Sequence, residues 1–395
     1  MAIFNMTGVN EAQIGDLKDS IGTLSSKWLA CNGAGVNSAD YPALVPLLQT
    51  ANPTVKDLNV KPDDSVYGTG SINAKGVYYY NGKWVVACVG YRNSSDMYLP
   101  VIYTATDLYG EWKEVQLSTE QFYLAGVCYD SRWGDWVAFG YKYVSSTECY
   151  PYIFYTADPA GTWRAVQVAS TNCKILTGLY ANSKLVLIAK ETSGSTAYCY
   201  VAEGSIAFTE YTVSTAFSGS PRGLSYGNGY WGIVDNSTNI WYTDDLTATW
   251  TKKTLASGIQ LRDMCCGDGR WVAVGMQSSG GYGRLFHSSD ITGAFTNYGT
   301  MTSSNSNEVI AYSGGVFVVL CVNLGTSRYF YYSADNCATF TRKSMNEGNL
   351  YDAFCYNGQF VVAGLHRVFV LRHPQMDAVL PSANADLGTT YIKAL

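Results

Sequence analysis

Apolar positions along this chain recur as a repeat. A small residue, one intervening residue and then an aromatic (once Leu) lead into an unbroken apolar run, seven times over. The copies are Gly82-Lys-Trp84-Val-Val-Ala, Gly134-Asp-Trp136-Val-Ala-Phe, Ser183-Lys-Leu185-Val-Leu-Ile, Gly229-Tyr-Trp231-Gly-Ile-Val, Gly269-Arg-Trp271-Val-Ala-Val, Gly315-Val-Phe317-Val-Val-Leu and Gly358-Gln-Phe360-Val-Val-Ala. Runs this short and continuously apolar read as strands covered on both faces. Most follow another strand-like segment, as at Gly76–Tyr80, Gly126–Tyr129, Gly223–Tyr226 and Val309–Tyr312. Asn-Gly or Asp-Gly often joins the two, at Asn81-Gly82, Asn228-Gly229, Asp268-Gly269 and Asn357-Gly358. Such dipeptides accept the left-handed conformation that a tight hairpin needs. The anchors recur at intervals of roughly forty to fifty residues, the length of a four-stranded propeller blade. An all-β fold follows, a seven-bladed β-propeller over residues 76–373.

A second motif runs in phase with the first: usually Thr or Ser, one residue, Asp, four more residues, then an aromatic. Its copies are Asp107…Trp112, Asp158…Trp163, Asp245…Trp250, Asp290…Phe295 and Asp335…Phe340, with a degenerate Glu203…Phe208. A carboxylate there can accept backbone N–H groups of the hairpin between the two outer strands, as Asx turns do, with the aromatic packed beneath. The seventh repeat has strands at Asp352–Tyr356, Gln359–Gly364 and Arg367–Arg372 but lacks the motif. Its last strand must come from elsewhere, because an open edge invites aggregation. Residues 53–75 are therefore a linker or the closing strand, with Val55–Ser71 the candidate.

The second motif resembles the Asp-box, or bacterial neuraminidase repeat, Ser/Thr-x-Asp-x-Gly-x-Thr-Trp. Thr156, Asp158, Thr162 and Trp163 fit it, while the glycine is displaced to Gly110, Gly161 and Gly293 or replaced by Ala248 and Ala338. The resemblance implies that Asp107, Asp158, Asp245, Asp290 and Asp335 are structural turn staples, away from the ligand face.

Composition narrows the function. Of 395 residues 47% are hydrophobic and only 14% charged, and the 32 tyrosines suit both half-buried strands and binding surfaces. A net charge of −5 without a Lys/Arg cluster excludes a nucleic-acid groove, which needs a basic stripe. No apolar run is long enough to insert into a membrane. Met1 to Asn10 has neither a basic nor an apolar leader region, so folding is expected in a cytoplasm, here that of a bacterial host. Eleven cysteines without CxxC spacing read as free thiols. With only three histidines, His287, His366 and His373, no metal is expected, and no cofactor either.

The chain ends lack the repeat. Gly22-Thr-Leu-Ser-Ser-Lys-Trp28-Leu-Ala-Cys31-Asn32-Gly33, followed by Asp40-Tyr41-Pro42-Ala43-Leu44, resembles the phage tail-collar motif Gly-Trp-Leu-x-Cys-Asn-Gly…Tyr-Pro-x-Leu. Tyr391-Ile392-Lys393-Ala394 resembles the ending of the same tail-fibre proteins. Lys27 stands where the motif has Gly, and the glycine-rich middle of a collar domain is missing, its place taken by the propeller as an insertion. The resemblance implies a small collar-like α+β base formed by residues 1–52 and 374–395, with a short helix opening near Ser38-Ala-Asp40. Fibre bases of this type are often trimeric, so a homo-oligomer is possible; no coiled-coil heptad specifies one.

Three functions fit. An Asp-box enzyme of the sialidase type needs an arginine triad and a Tyr nucleophile with a Glu partner. Arg222 and Arg262 start the inner strands of adjacent blades, but the family's Arg-Ile-Pro strand is absent, and so are G-x-S-x-G, P-loop and HExxH motifs. A structural tail component contacting other tail subunits is the second. The preferred reading is non-enzymatic: a virion-tail receptor-binding or tail-tip protein, partnered by a host-surface glycan or protein and by other phage tail proteins. Its binding surface is expected in the loops between second and third strands, Tyr91–Pro100, Tyr141–Pro151, Glu191–Ala197, Asp235–Asn239, Gln277–Arg284 and Asn323–Ser327, which mix Ser, Tyr, Asn and Gly. Tyr91, Tyr98, Tyr141, Tyr143, Tyr150 and Tyr282 are the candidate contacts.

Overall fold

The computed structural model describes residues 73–372 with short gaps at 93–96, 109, 303–304, 314, 324–327, 346–349, 357–358 and 365–366. Of the ends it describes only the strands Leu17–Ser20, Trp28–Ala30, Gly35–Val36, Val55–Asp57, Ala378–Val379 and Thr389–Lys393. Two compact units emerge: residues 57–355 with 360–370, and residues 1–56 with 356–359 and 371–395.

Seven four-stranded antiparallel sheets follow one another along the chain. Blade 1 has strands Asn73–Tyr80, Lys83–Arg92, Met97–Ala105 and Lys113–Gln116, and blade 2 has Phe122–Asp130, Asp135–Ser145, Glu148–Thr156 and Arg164–Gln167. Blades 3, 4, 5 and 6 repeat this order, starting at Cys173, Pro221, Ile259 and Asn305. Blade 7 takes Leu350–Tyr356, Gln359–Gly364 and Arg367–Arg372 from the C-terminal side, and its fourth strand is Val55–Asp57. This explains why the seventh repeat lacks the Asp motif: no hairpin joins its third and fourth strands, so there is no turn to cap.

The repeat anchors pack between blades. Trp84, Trp136, Leu185, Trp231, Trp271, Phe317 and Phe360 are all buried, each on the second strand of its blade. One cluster joins Val85, Ala87 and Ile102 of blade 1 to Phe122, Trp136 and Trp163 of blade 2; another joins Val186 and Val201 of blade 3 to Trp231 and Trp250 of blade 4. The tight turns behave as their sequence requires, with φ of 44° and 76° at Asn81 and Gly82, and 50° and 82° at Asn228 and Gly229. All ten described cysteines are free thiols.

At the ends, Leu17–Ser20 and Trp28–Ala30 flank Thr389–Lys393 in one antiparallel sheet, with Leu17 opposite Ile392 and Trp28 opposite Lys393. Gly35–Val36 pairs with Ala378–Val379. The described residues of this base are strands. The helix expected near Ser38 lies outside the described residues, as do Cys31, Asn32, Gly33, Tyr41 and Pro42 of the collar-like motif.

Candidate functional site

Antiparallel pairing places the first-to-second and third-to-fourth connections of each blade at one end of the ring. Second-to-third connections, and the linkers between blades, lie at the other. Call these the turn end and the loop end.

At the turn end the carboxylates hold backbone. Asp158 Oδ1 accepts the Ala160 N–H at 3.3 Å, Asp245 Oδ1 the Thr247 N–H at 2.9 Å, Asp290 Oδ1 the Thr292 N–H at 2.8 Å and Asp335 Oδ1 the Thr339 N–H at 2.9 Å. In the copies at Asp107, Asp158, Asp245 and Asp290 the Asp carbonyl accepts an N–H three residues on, from Gly110, Gly161, Ala248 and Gly293. Trp163 and Trp250 are buried beneath, and so are Leu108, Leu246 and Ile291, which directly follow an Asp and which sequence reasoning passed over. Hydrogen bonds hold Asp158, Asp245, Asp290 and Asp335 below the usual carboxylate range. Asp335 falls to about 2, chiefly through the Thr339 side chain, and for Asp158 the largest cause is the Lys83 ammonium. Lys83 on the blade 1 turn reaches Asp158 of blade 2 at 3.0 Å, and Arg270 of blade 5 reaches Asn336 of blade 6 at 3.1 Å. These groups are engaged in holding turns and joining neighbours.

The loop end differs. Two of its expected loops are not loops, and that expectation is corrected. Tyr141–Pro151 is a continuous hairpin in which Tyr141 faces Pro151, Tyr143 faces Cys149 and only Ser146-Thr147 turn. In blade 1 pairing runs out to Arg92 opposite Met97, which sets Tyr91 across from Tyr98. Asn172, in the linker to blade 3, accepts the Cys149 N–H at 2.9 Å and donates to the Thr147 carbonyl at 2.7 Å, clasping the blade 2 hairpin near its tip.

Three predicted tyrosines meet around a fourth residue that sequence reasoning missed. The Tyr123 ring lies 4.8 Å from Tyr98, 5.1 Å from Tyr141 in a nearly parallel stack, and 5.9 Å from Tyr143 edge-on. The Lys174 ammonium of blade 3 sits 5.6 Å from the Tyr141 ring. All four tyrosines are half-buried, leaving a platform that runs from blade 1 across blade 2 to blade 3. Burial is the main reason the Tyr141 and Tyr123 phenols are raised above their ordinary range. Tyr150 stands apart on the other face of the hairpin, opposite Lys142, and donates to Glu148 at 2.7 Å. Tyr282 is exposed on blade 5, away from the platform. Tyr91 is described by its backbone alone.

The inner strands line a cavity of about 670 Å³. Blades 1 to 6 each carry a register shift between first and second strands, which makes Lys75, Ala125, Leu176, Gly223 with Leu224, Arg262 and Glu308 the bulge residues of their inner strands. A bulge re-aims the side chain it carries. Every bulge residue named from blades 1 to 5 lines the cavity, and Arg222 joins them. Glycine opposite the bulge allows this close approach. A Cβ on Gly140 would fall 1.9 Å from the Tyr123 carbonyl oxygen, and one on Gly275 would fall 2.2 Å from that of Gln260.

Two carboxylates share the cavity. Asp352 of blade 7 accepts the Val77 N–H of blade 1 at 3.2 Å and the Ala353 N–H at 2.9 Å, and so ties the last blade to the first. Asp263 of blade 5 accepts Ile310 N–H of blade 6 and Met264 N–H, both at 2.8 Å. Burial raises Asp263 to about 7 and Asp352 to about 6, against those amides. Burial first, and the Arg222 charge second, lower Lys75 to about 8. Arg222 is exposed to solvent, and Arg262 is braced by Asn236 at 2.9 Å. Among the described residues no group of three His, Cys, Asp or Glu is placed to hold a metal ion.

No family model matches the chain, and no curated protein matches it in sequence. Solved structures do match. YCF48 from Cyanidioschyzon merolae is one, with TM-score 0.56 at 12% identity over 81% of this chain and 99% of that one. YCF48 bound to D1 peptide gives 0.54 at 12% identity, covering 80% and 93%, and a chain of the mitotic checkpoint complex gives 0.55 at 11% identity, covering 82% and 95%. At such identities the likeness concerns the fold: the chain is a seven-bladed β-propeller.

Proposed function

We propose that this chain is a receptor-binding or tail-tip protein of a bacteriophage virion, synthesised and folded in the bacterial host, whose loop end binds a host-surface ligand without catalysis. The observation that carries the reading is the half-buried tyrosine platform around Tyr123, set at the end free of turn staples. Tyrosines contribute large rigid area with a polar tip, and a propeller holds them with little entropy left to lose on binding. The Asp-box-like acids support a non-enzymatic role, because hydrogen bonds keep them ionised and occupied at turns. Attachment to the tail rests on the collar-like residues at both ends of the sequence, and pairing of Leu17–Ser20 and Trp28–Ala30 with Thr389–Lys393 fits one split base.

Among the similar structures one holds a bound peptide and another belongs to a multiprotein complex. Protein ligands, including other tail subunits, are therefore the second reading of the same surface. Labelled full-length protein added to host cells separates the two: saturable adsorption abolished by Tyr98→Ala with Tyr141→Ala supports receptor binding. Absence of adsorption, with retention on isolated tail proteins, would leave only the structural role. Release of sugar from the cells by the purified protein would overturn the non-catalytic part.

A further inference from the structure

The cavity and the platform share strands. Tyr123 precedes the cavity-lining Ala125 by two residues on the blade 2 inner strand, and Lys174 precedes the cavity-lining Leu176 by two on that of blade 3. Lys75, Arg222 and Arg262 lie in the first half of their inner strands, which is the half nearest the loop end. Aromatic rim and cationic recess are thus set two residues apart on the same inner strands of blades 2 and 3. Resting on the receptor-binding reading above, we propose that the ligand is an acidic polysaccharide: an anionic group enters the channel at Lys75 and Arg222 while neighbouring sugar rings lie across Tyr98, Tyr123 and Tyr141.

Charge carries the first half of the inference. The chain is acidic overall at −5, yet the recess gathers three cations from three separate blades. Its two carboxylates already accept a backbone N–H on each oxygen, so they serve the ring closure and the blade 5 to blade 6 seam. Lys75 and Arg222 line the same recess, and the Arg222 charge adds to burial in lowering the Lys75 ammonium. A bound anion relieves that repulsion, and a concave wall of low dielectric focuses the field on it. A recess of about 670 Å³ falls within the usual range for small ligands and admits a sugar unit with its acid group.

Shape and hydrogen bonding carry the second half. An acidic peptide would seek free backbone groups to extend a sheet. Inner-strand amides facing neighbours are taken: Val77 by Asp352, Ile310 by Asp263 and Cys266 by the Ser225 hydroxyl. What the surface offers is side chains, namely phenol rings, hydroxyls, amides and cations. That set suits the flat apolar faces and hydroxyl edges of sugars.

The test uses the full chain on an array printed with acidic glycans, oligogalacturonate and a glycerol-phosphate polymer, each beside a neutral counterpart (carboxyl-reduced or phosphate-free), with poly-glutamate as the acidic-peptide control. Retention on at least one acidic member is expected, at least tenfold above its counterpart, and which member is retained distinguishes carboxylate from phosphate. Arg222→Gln and Lys75→Gln should each lower that retention about tenfold and flatten its salt dependence, as loss of a charge-assisted hydrogen bond does. Tyr123→Ala should lower it as well, with far-UV circular dichroism showing a folded ring in every variant. Equal retention on neutral counterparts, retention only on poly-glutamate, no retention on any acidic member, or indifference to Arg222→Gln would each overturn the inference. If cell adsorption then persists, only the ligand class fails; if adsorption is also absent, the receptor-binding reading fails with it.

Discussion

The two ends of the ring are built from the same strands and solve opposite problems. At the turn end one pattern repeats: a tight hairpin, an Asp that caps it, and a buried apolar residue or Trp below. Neighbouring blades are joined there by Lys83 to Asp158 and by Arg132, which pairs with Asp130 and donates to the carbonyls of Ser183 and Ala202 at 2.8 Å. At the loop end the second-to-third connections differ from blade to blade. Blade 2 extends a long hairpin, blade 4 closes within three residues around buried Asp235, and tyrosines gather over one side only. A carboxylate lowered at the turn end is raised inside the channel. Regularity marks the end that holds the ring together, and the end proposed for recognition lacks it.

The largest effect expected is Trp163→Ala. Removing this buried ring should cost about 3–5 kcal/mol in chemical denaturation while leaving adsorption per folded molecule unchanged; lost adsorption by folded protein would erase the division between ends. Next comes the reverse case. Tyr98→Ala with Tyr141→Ala should lower adsorption at least tenfold, roughly 1.4 kcal/mol or more, whereas Thr162→Ala with Thr247→Ala at the turn end should leave adsorption intact. If the turn-end pair alone abolished adsorption, the binding end would be misplaced. Asp158→Ala should then cost about 1 kcal/mol or less, as loss of a largely exposed turn cap, and an enzymatic activity lost with it would contradict the stapling role.

The smallest effect is the most discriminating. Asp263 and Asp352 bind protons more tightly folded than unfolded, rising from 3.8 to about 7 and about 6. Between about pH 4 and pH 7 the folded state therefore holds more protons, and these groups lose stability as pH rises through that window. Asp158, Asp245, Asp290 and Asp335 are shifted the other way and lose their contribution as pH falls below about 4. Melting temperature should accordingly fall from pH 5 to pH 7.5, and Asp352→Asn should flatten that slope without touching the acid limb. A slope unchanged in Asp352→Asn would show that this channel acid does not titrate there.

Much of this was legible beforehand for a local reason. Trp84 and its six equivalents, the Asn-Gly turns and the Asp motif act within one or two hairpins, so their signals survive in a linear string. Absence of the motif from the seventh repeat was legible too, though its cause, a last strand taken from Val55–Asp57, became plain only with the sheet order. The site was harder. Tyr98, Tyr141 and Tyr143 stood out by loop composition, but Tyr123 lies inside an ordinary inner strand and gave no signal beyond being a tyrosine. Tyr150 and Tyr282 had the same composition as their neighbours and yet lie off the platform. Lys75 lies just ahead of the Gly76–Tyr80 segment read as a strand, and that it lines one cavity with Arg222 followed only from the fold.

What the chain determined by itself was the number of blades, the phase of their turns and the residues that anchor them, because each depends on apolar period and local turn chemistry. What only the tertiary structure decided was direction. A bulge between Ala74 and Gly76, or between Leu261 and Asp263, sends one extra side chain into the channel. Strand register is set by pairing with a partner rather than by composition. Which cations converge, and which tyrosines stack across a seam, follow from closing the ring, since closure alone brings residues as distant as Val77 and Asp352 into hydrogen-bond contact.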